Sequence, residues 1–167
     1  MVREETTKTA SLILSLAVLL LLPFEGAGIC RDASVLARLS YPFFHVGILH
    51  ALLNIWCFLS IVFFFGVTPL QLFLAYIISV LYPVNALSPY IDTSIPTIGF
   101  SGVCYALIGI VTPRMRNKAL NIAYIAFLVV AGYLFGSANA WLHTYSYLAG
   151  LLVGLLQYHN HGDKSNP

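Results

Sequence analysis

The sequence predicts an all-α membrane protein, a bundle of six transmembrane helices in which the fourth helix is short. Of its 167 residues, 59% are hydrophobic and 8% are charged, a balance far outside the range of soluble globular domains. A spanning helix needs about 20 mainly apolar residues, and the chain divides into six apolar stretches, some of them short. We expect one domain with helices near residues 9–24, 43–65, 69–88, 101–113, 118–135 and 139–158, followed by a polar tail over 159–167.

The first stretch, SLILSLAVLLLLPF, also resembles a signal peptide, because it is short and is followed by small residues. The distribution of charge favours a retained helix. With a cytoplasmic N-terminus, only Arg31 and Arg38 face outward, and the other six basic residues face inward: Arg3, Lys8, Arg114, Arg116, Lys118 and Lys164. This positive-inside bias predicts both termini in the cytoplasm, and we expect the bacterial inner membrane.

Net charge and cysteine usage give little information about partners. The net charge is +2, and we expect contact with the lipid bilayer but with no nucleic acid. Cys30, Cys57 and Cys104 show neither paired spacing nor a metal-ligand pattern, so we predict no disulfide framework. No H-E-x-x-H motif is present, and three histidines without a carboxylate make a poor metalloprotease site. We therefore expect no metal and no cofactor.

The fourth stretch is too short to cross the membrane. From Ser101 to Arg114, which should mark the inner boundary, 13 steps span about 20 Å, against a hydrocarbon core of about 30 Å. Ser101 should therefore begin a helix about 10 Å below the outer surface. Irregular backbone at that depth must be buried in protein or line a water-filled cavity. The stretch TIGFSGVCYALIGI thus predicts a water-filled cavity that opens to the outer side of the membrane.

Three other polar side chains are predicted at the depth of Ser101. His50 and Asn54 lie about 24 and 18 Å above the inner end of the second stretch, on one helix face, and His143 lies about 21 Å above the inner end of the sixth. Any one of them alone is more simply a hydrogen-bonding contact between helices. Four polar residues in one layer favour a functional site, since ionisable groups inside a membrane are costly.

This layer carries the groups that acyl transfer requires. Ser101 can act as nucleophile, and a histidine, whose ordinary pKa is near 6.5, is the natural base. His50, Asn54 and the free N–H groups at the start of the fourth helix could form an oxyanion hole. No acidic residue lies within a predicted helix, which favours a Ser-His dyad. A small-solute transporter would also need a hollow, but the chain shows no inverted repeat.

These residues resemble the rhomboid intramembrane serine proteases in their minimal six-helix form. HVGILHALLN, His45 to Asn54, is similar to the second-helix pattern of that family, and GFSG, Gly99 to Gly102, is similar to its catalytic G-x-S-G. The stretch LAGLLVG, with Gly150 and Gly154, resembles the small-residue stripe of the last helix. The resemblance covers about residues 40–158 and implies a rhomboid-like bundle.

The resemblance implies cleavage of transmembrane substrates near their outer ends, with Ser101 as nucleophile and with His50, Asn54 and the Ser101 amide at the oxyanion. It implies that His45 is structural, near the mouth of the site. It also implies that Tyr105 packs beneath the catalytic histidine, although a tyrosine four residues after the serine is by itself more often an ordinary packing residue.

The base is the point at which this chain departs from the family. The family usually carries its base three residues before the first glycine of the stripe, a position held here by Tyr147, and a phenol of pKa near 10 is a poor base. His143 lies one turn earlier, level with Ser101 by the depth estimate, and we predict that it is the base. The alternative is a rhomboid-like pseudoprotease that binds transmembrane helices without cleaving them.

Overall fold

The fold is helical throughout the part of the chain that the structure, a computed structural model, describes: residues 2–21, 28–87, 96–135 and 139–162. Within those ranges there is no β-strand, and the one backbone bridge joins Ile29 to Thr97. The helices are α1 (Val2–Leu20), α2 (Val35–Ser40), α3 (Ile48–Phe65), α4 (Pro69–Val80), α5 (Val84–Leu87), α6 (Ser101–Val111), α7 (Lys118–Phe135) and α8 (Ala140–Gly162). Two 3₁₀ turns, Tyr41–Phe43 and Thr112–Arg114, precede α3 and follow α6.

Several helix ends differ from the sequence prediction. The first helix begins at Val2 instead of residue 9, and the part predicted over 22–24 lies outside the described residues, as do Ser88 and the end of the tail with Lys164. The second begins at Ile48 instead of residue 43, because the backbone is extended at Phe44 and again at Gly47. The predicted polar tail is helical as far as Gly162.

The third predicted helix is divided in two, because its sequence contains its own stop signal. Thr68 begins α4 with a capping box to Gln71, the reciprocal pair of hydrogen bonds that satisfies the first N–H groups of a helix. The helix then ends at Val80, and Pro83 follows, which has no N–H to donate and disfavours a helical residue before it. The short helix α5 takes up the chain after this break.

Two helical stretches among the described residues are long and apolar enough to cross a membrane, as judged by length and composition. They are Ile48–Phe65 and Pro69–Leu87, which includes the break after α4, and a shorter apolar helix covers Lys118–Leu134. Helix α6 has 11 residues, which gives a length of about 16 Å. By itself it is too short to span a hydrocarbon core of about 30 Å.

Helix α6 packs against α3, α4 and α8. Eight of its 11 residues are buried, and its apolar side chains share a core with Phe58 and Val62 of α3 and with Ala75 and Ile78 of α4. On the α8 side the two backbones touch. A Cβ atom added to Gly150 would clash with the backbone of Ala106, and one added to Gly154 would clash with that of Ile110. Small residues permit this approach, which fixes α8 against the second half of α6.

Candidate active site

Ser101 and His143 lie within hydrogen-bond distance of each other. Ser101 is the first residue of α6, and His143 lies in the first turn of α8. The Nε2 atom of His143 is 2.9 Å from the Oγ atom of Ser101, a distance at which the hydroxyl can donate its hydrogen to a neutral imidazole. A serine hydroxyl bonded to an imidazole nitrogen is the arrangement of an activated nucleophile and its base.

The imidazole ring of His143 is held by its neighbours. It stacks on the ring of Tyr105, with the centroids 4.2 Å apart and the planes 7° from parallel, and only 8% of the residue is exposed. Tyr105 lies one turn after Ser101 on α6, so the nucleophile and the stacking partner share one helix face. This stack fixes the plane of the imidazole and directs Nε2 towards Ser101.

Tyr147 lies far from Ser101. Its hydroxyl is 3.5 Å from Oγ1 of Thr112, a residue 11 positions after Ser101 and thus about 16 Å further along the helix axis. The stripe of small residues on α8, which includes Gly150 and Gly154, explains why Tyr147 lies far from Ser101. Ser146 is fully buried and lies four residues before Gly150, so it extends the stripe by one turn. Counted from Ser146, the position three residues earlier is His143. The four-residue spacing in the sequence could have revealed this.

The side chains of His50 and Asn54 lie beside the glycine that precedes the nucleophile. Gly99 has φ +126°, a conformation that favours glycine. A Cβ atom at Gly99 would lie 3.0 Å from Nε2 of His50 and 3.8 Å from Nδ2 of Asn54. Asn54 is oriented by its own helix, since Nδ2 donates to the carbonyl of His50 at 3.0 Å. Both side chains therefore reach the backbone at the start of α6.

The loop that leads into Ser101 is fixed by two hydrogen bonds that its backbone N–H groups donate. The N–H of Gly99 donates to the carbonyl of Tyr41 at 3.1 Å, and the N–H of Phe100 donates to Nε2 of His45 at 3.2 Å. His45 also meets the ring of His50 edge-on, with the centroids 5.0 Å apart. It thus holds both the loop and a neighbour of the site.

The other glycine of GFSG is also enclosed. A Cβ atom at Gly102 would clash with the Ser79 hydroxyl and would lie 3.1 Å from the hydroxyl of Tyr41. Ser79 and Tyr41 are hydrogen-bonded to each other and completely buried. Gly102 therefore allows the first turn of α6 to sit against α4.

The start of α6 presents an N–H group that is free to bind a ligand. In the described part of the chain, Cys104 donates to the carbonyl of Phe100, but no acceptor pairs with the N–H of Ser101. The first N–H groups of a helix lack partners within the helix and carry a partial positive charge. They can stabilise a negatively charged oxygen beside the serine.

The described residues show no group of three or more His, Cys, Asp or Glu side chains that could hold a metal ion. The polar groups beside Ser101 are instead imidazoles, an amide and backbone N–H groups. This set can accept one proton and can donate hydrogen bonds to a developing anion, which is the requirement of acyl transfer.

One polar residue of the site was missed by the sequence analysis. Asn139 caps α8, since its Oδ1 accepts from the N–H of Leu142 at 2.9 Å, and its Nδ2 donates to Oγ1 of Thr97 at 2.6 Å. Thr97 is also paired through its backbone with Ile29. Asn139 therefore ties the start of the helix that carries His143 to the segment that leads into Ser101. An asparagine at the first position of the helix predicted over 139–158 was the available signal, since asparagine is a preferred N-cap residue.

Comparison with known protein families agrees with this geometry. The Rhomboid domain matches residues 33–159, which is 127 of the 167 residues. The chain belongs to the rhomboid family. Rhomboids are membrane-embedded and are generally serine intramembrane proteases, and the matched region includes every site residue described above. No curated protein matches this rhomboid in sequence.

Proposed function

We propose that this rhomboid is an intramembrane serine endopeptidase that cleaves transmembrane segments with Ser101 as nucleophile and His143 as general base. The observation that carries the proposal is the 2.9 Å separation of His143 Nε2 and Ser101 Oγ. Catalytic hydrogen bonds are often long in enzymes without substrate. A separation this short means that proton transfer requires no prior movement of either helix.

The proposed topology has six transmembrane helices, with α6 in the centre and both termini in the cytoplasm. The short length of α6 supports this topology, because 11 residues that end at the inner boundary leave Ser101 well below the outer surface. Its enclosure by α3, α4 and α8 supplies the protein surroundings that irregular backbone needs at that depth. Water and an unwound substrate segment would reach Ser101 from the outer side.

In the first half of the reaction, Ser101 Oγ attacks the carbonyl carbon of the substrate peptide as its proton moves to His143 Nε2. The new C–O bond leaves a negative charge on the carbonyl oxygen. Collapse of this intermediate breaks the C–N bond, and the His143 imidazolium donates its proton to the departing amine. Water then attacks the acyl-enzyme with His143 again as the base, and Ser101 regains its proton on release of the acid.

The oxyanion would be held by donors from two helices. The N–H of Ser101 supplies one from α6, and His50 and Asn54 supply side-chain donors from α3, beside Gly99. Removal of one oxyanion donor typically costs about 10²–10³-fold in rate. No cofactor takes part in this mechanism.

The proposal is tested by the purified protein in liposomes with a fluorescent transmembrane reporter and a fluorophosphonate probe. We expect cleavage of the reporter, and we expect peptide mass spectrometry to locate the probe on Ser101. Labelling of a different serine would contradict the assignment of the nucleophile. Capture of the reporter without cleavage or labelling would instead support the pseudoprotease.

We further expect Thr97→Val to lower kcat about tenfold with little change in KM, because loss of the hydrogen bond from Asn139 lets α8 shift against α6, and small misplacements of reacting groups are costly. Thr97→Ser should restore the rate. Thr144→Val is the matched control, since that hydroxyl bonds within α8, to the carbonyl of Ala140. Equal losses in Thr97→Val and Thr144→Val would show that Asn139 does not position the dyad.

A further inference from the structure

A second polar site lies at the opposite end of α6 from Ser101. A cavity of about 570 Å³ opens where the chain leaves α6 and enters α7. Its polar lining consists of Arg114, Arg116, Asn117 and Asn121. None of these residues takes part in the proposed reaction, since α6 separates them from the dyad by its full length of about 16 Å.

The two arginines of this cavity have no acidic partner in the described part of the chain. Glu5 and Asp32 are the acidic residues whose side chains are described there. Among the residues that the structure describes, Asp32 pairs with Arg31, and neither Arg114 nor Arg116 forms an ion pair. Partial burial lowers the pKa of the Arg114 guanidinium, because a charged group loses hydration there. Two guanidinium groups that line one cavity, with no carboxylate beside them among the described residues, form a site for an anion.

The remaining walls of the cavity are apolar or aromatic. Phe65, Leu120 and Tyr124 line it beside the arginines, and Leu120 is 69% exposed. A free phosphate ion would make no favourable contact with these apolar side chains. A molecule that joins an anionic group to hydrocarbon would contact both surfaces at once.

We propose that this cavity binds the head group of an anionic glycerophospholipid, with the phosphate between Arg114 and Arg116 and the upper acyl chain against Leu120 and Tyr124. The proposal rests on the topology proposed above, in which α6 ends at the cytoplasmic surface, where anionic lipids attract basic residues. It does not depend on the chemistry of Ser101. A lipid bound there would brace the turn that fixes the inner end of α6.

Lys118 supplies a matched control for this site. It lies in the same segment and carries the same charge, but it does not line the cavity. Its Nζ atom lies 5.2 Å from the centroid of the Tyr158 ring, a cation–π contact that directs it towards α8. Lys118→Gln therefore removes the same charge from the same surface as Arg116→Gln without altering the proposed pocket.

Native mass spectrometry of the Ser101→Ala protein, with dioleoyl phosphatidylglycerol or dioleoyl phosphatidylcholine added in detergent, tests the proposal independently of proteolysis. We expect phosphatidylglycerol to be retained about tenfold more than phosphatidylcholine, and Arg114→Gln or Arg116→Gln to lower its retention about fivefold each, as the attraction of one basic residue to anionic lipid predicts. Lys118→Gln should change retention by less than about twofold, because its ammonium lies at the Tyr158 ring, outside the cavity, where solvent screens the charge.

Three results would overturn the proposal. Equal retention of the two lipids would show that the head group is not recognised. An equal loss in Lys118→Gln would show attraction to a basic surface instead of binding in the cavity. Displacement of phosphatidylglycerol by millimolar inorganic phosphate would identify a site for a free anion. None of these results bears on whether Ser101 is a nucleophile.

Discussion

Replacement of His143 by alanine should lower the cleavage rate of a transmembrane reporter by about 10⁴-fold, the loss expected when a general base is removed from a coupled dyad. Ser101→Ala should give a comparable loss, and the double variant should be no slower than either single one, because the two groups act as a unit. Fluorophosphonate labelling of Ser101 should fall in parallel in His143→Ala. Single-turnover cleavage in liposomes measures all three variants.

Tyr147→Phe is the control for this assignment. It removes the hydroxyl at the position that a count from Gly150 assigns to the base, yet that hydroxyl lies near Thr112 and not beside Ser101. We expect its rate to stay within about threefold of the parent protein, as for a hydrogen bond remote from the reacting atoms. Activity that survives in His143→Ala but disappears in Tyr147→Phe would exclude His143 as the base.

Replacement of Gly150 by alanine should destabilise the protein by about 2 kcal/mol, in the range of overpacked cores. The added Cβ would clash with the carbonyl oxygen of Ala106, and since this is backbone, α8 must move away from α6. Alanine favours a helix by about 1 kcal/mol over glycine, so a loss of stability reports the contact and not the propensity. A displacement of about 1 Å between His143 and Ser101 should also lower kcat about 10²-fold.

Gly47→Ser is the matched control for the added side chain. A Cβ atom at Gly47 meets nothing within 4 Å, its φ of −171° is ordinary extended backbone, and serine is a favourable N-cap for α3. Thermal unfolding in detergent, followed by tryptophan fluorescence, compares the two variants. A melting temperature that falls equally in both, or in neither, would contradict the close packing of α6 and α8.

Sequence reasoning found the helical segments and a candidate nucleophile because both depend on local composition. A long apolar run such as Ile48–Phe65 predicts a helix without knowledge of its neighbours, and Ser101 is the first residue of α6 because Pro96 and Gly99 interrupt the chain before it. The end of α4, capped by Leu81, and the start of α3, capped by Gly47, were harder to place. The first depends on Pro83, two residues after Leu81, and the second on Gly47, whose backbone is extended. Both residues weaken a helix without defining where it begins or ends.

The sequence by itself predicted an apolar helical chain in which Ser101, His50, Asn54 and His143 lie at similar depth, because an estimate of depth needs only the rise per residue along each helix. It favoured His143 over Tyr147 by estimated depth alone, since the rotation of α8 against α6 is not a property of either helix alone. The tertiary structure decides which of them lies beside Ser101. Contact of Gly150 with Ala106 and of Gly154 with Ile110 sets that rotation, and the hydrogen bond from Asn139 to Thr97 fixes the start of α8, so that His143 faces Ser101 and Tyr147 faces Thr112.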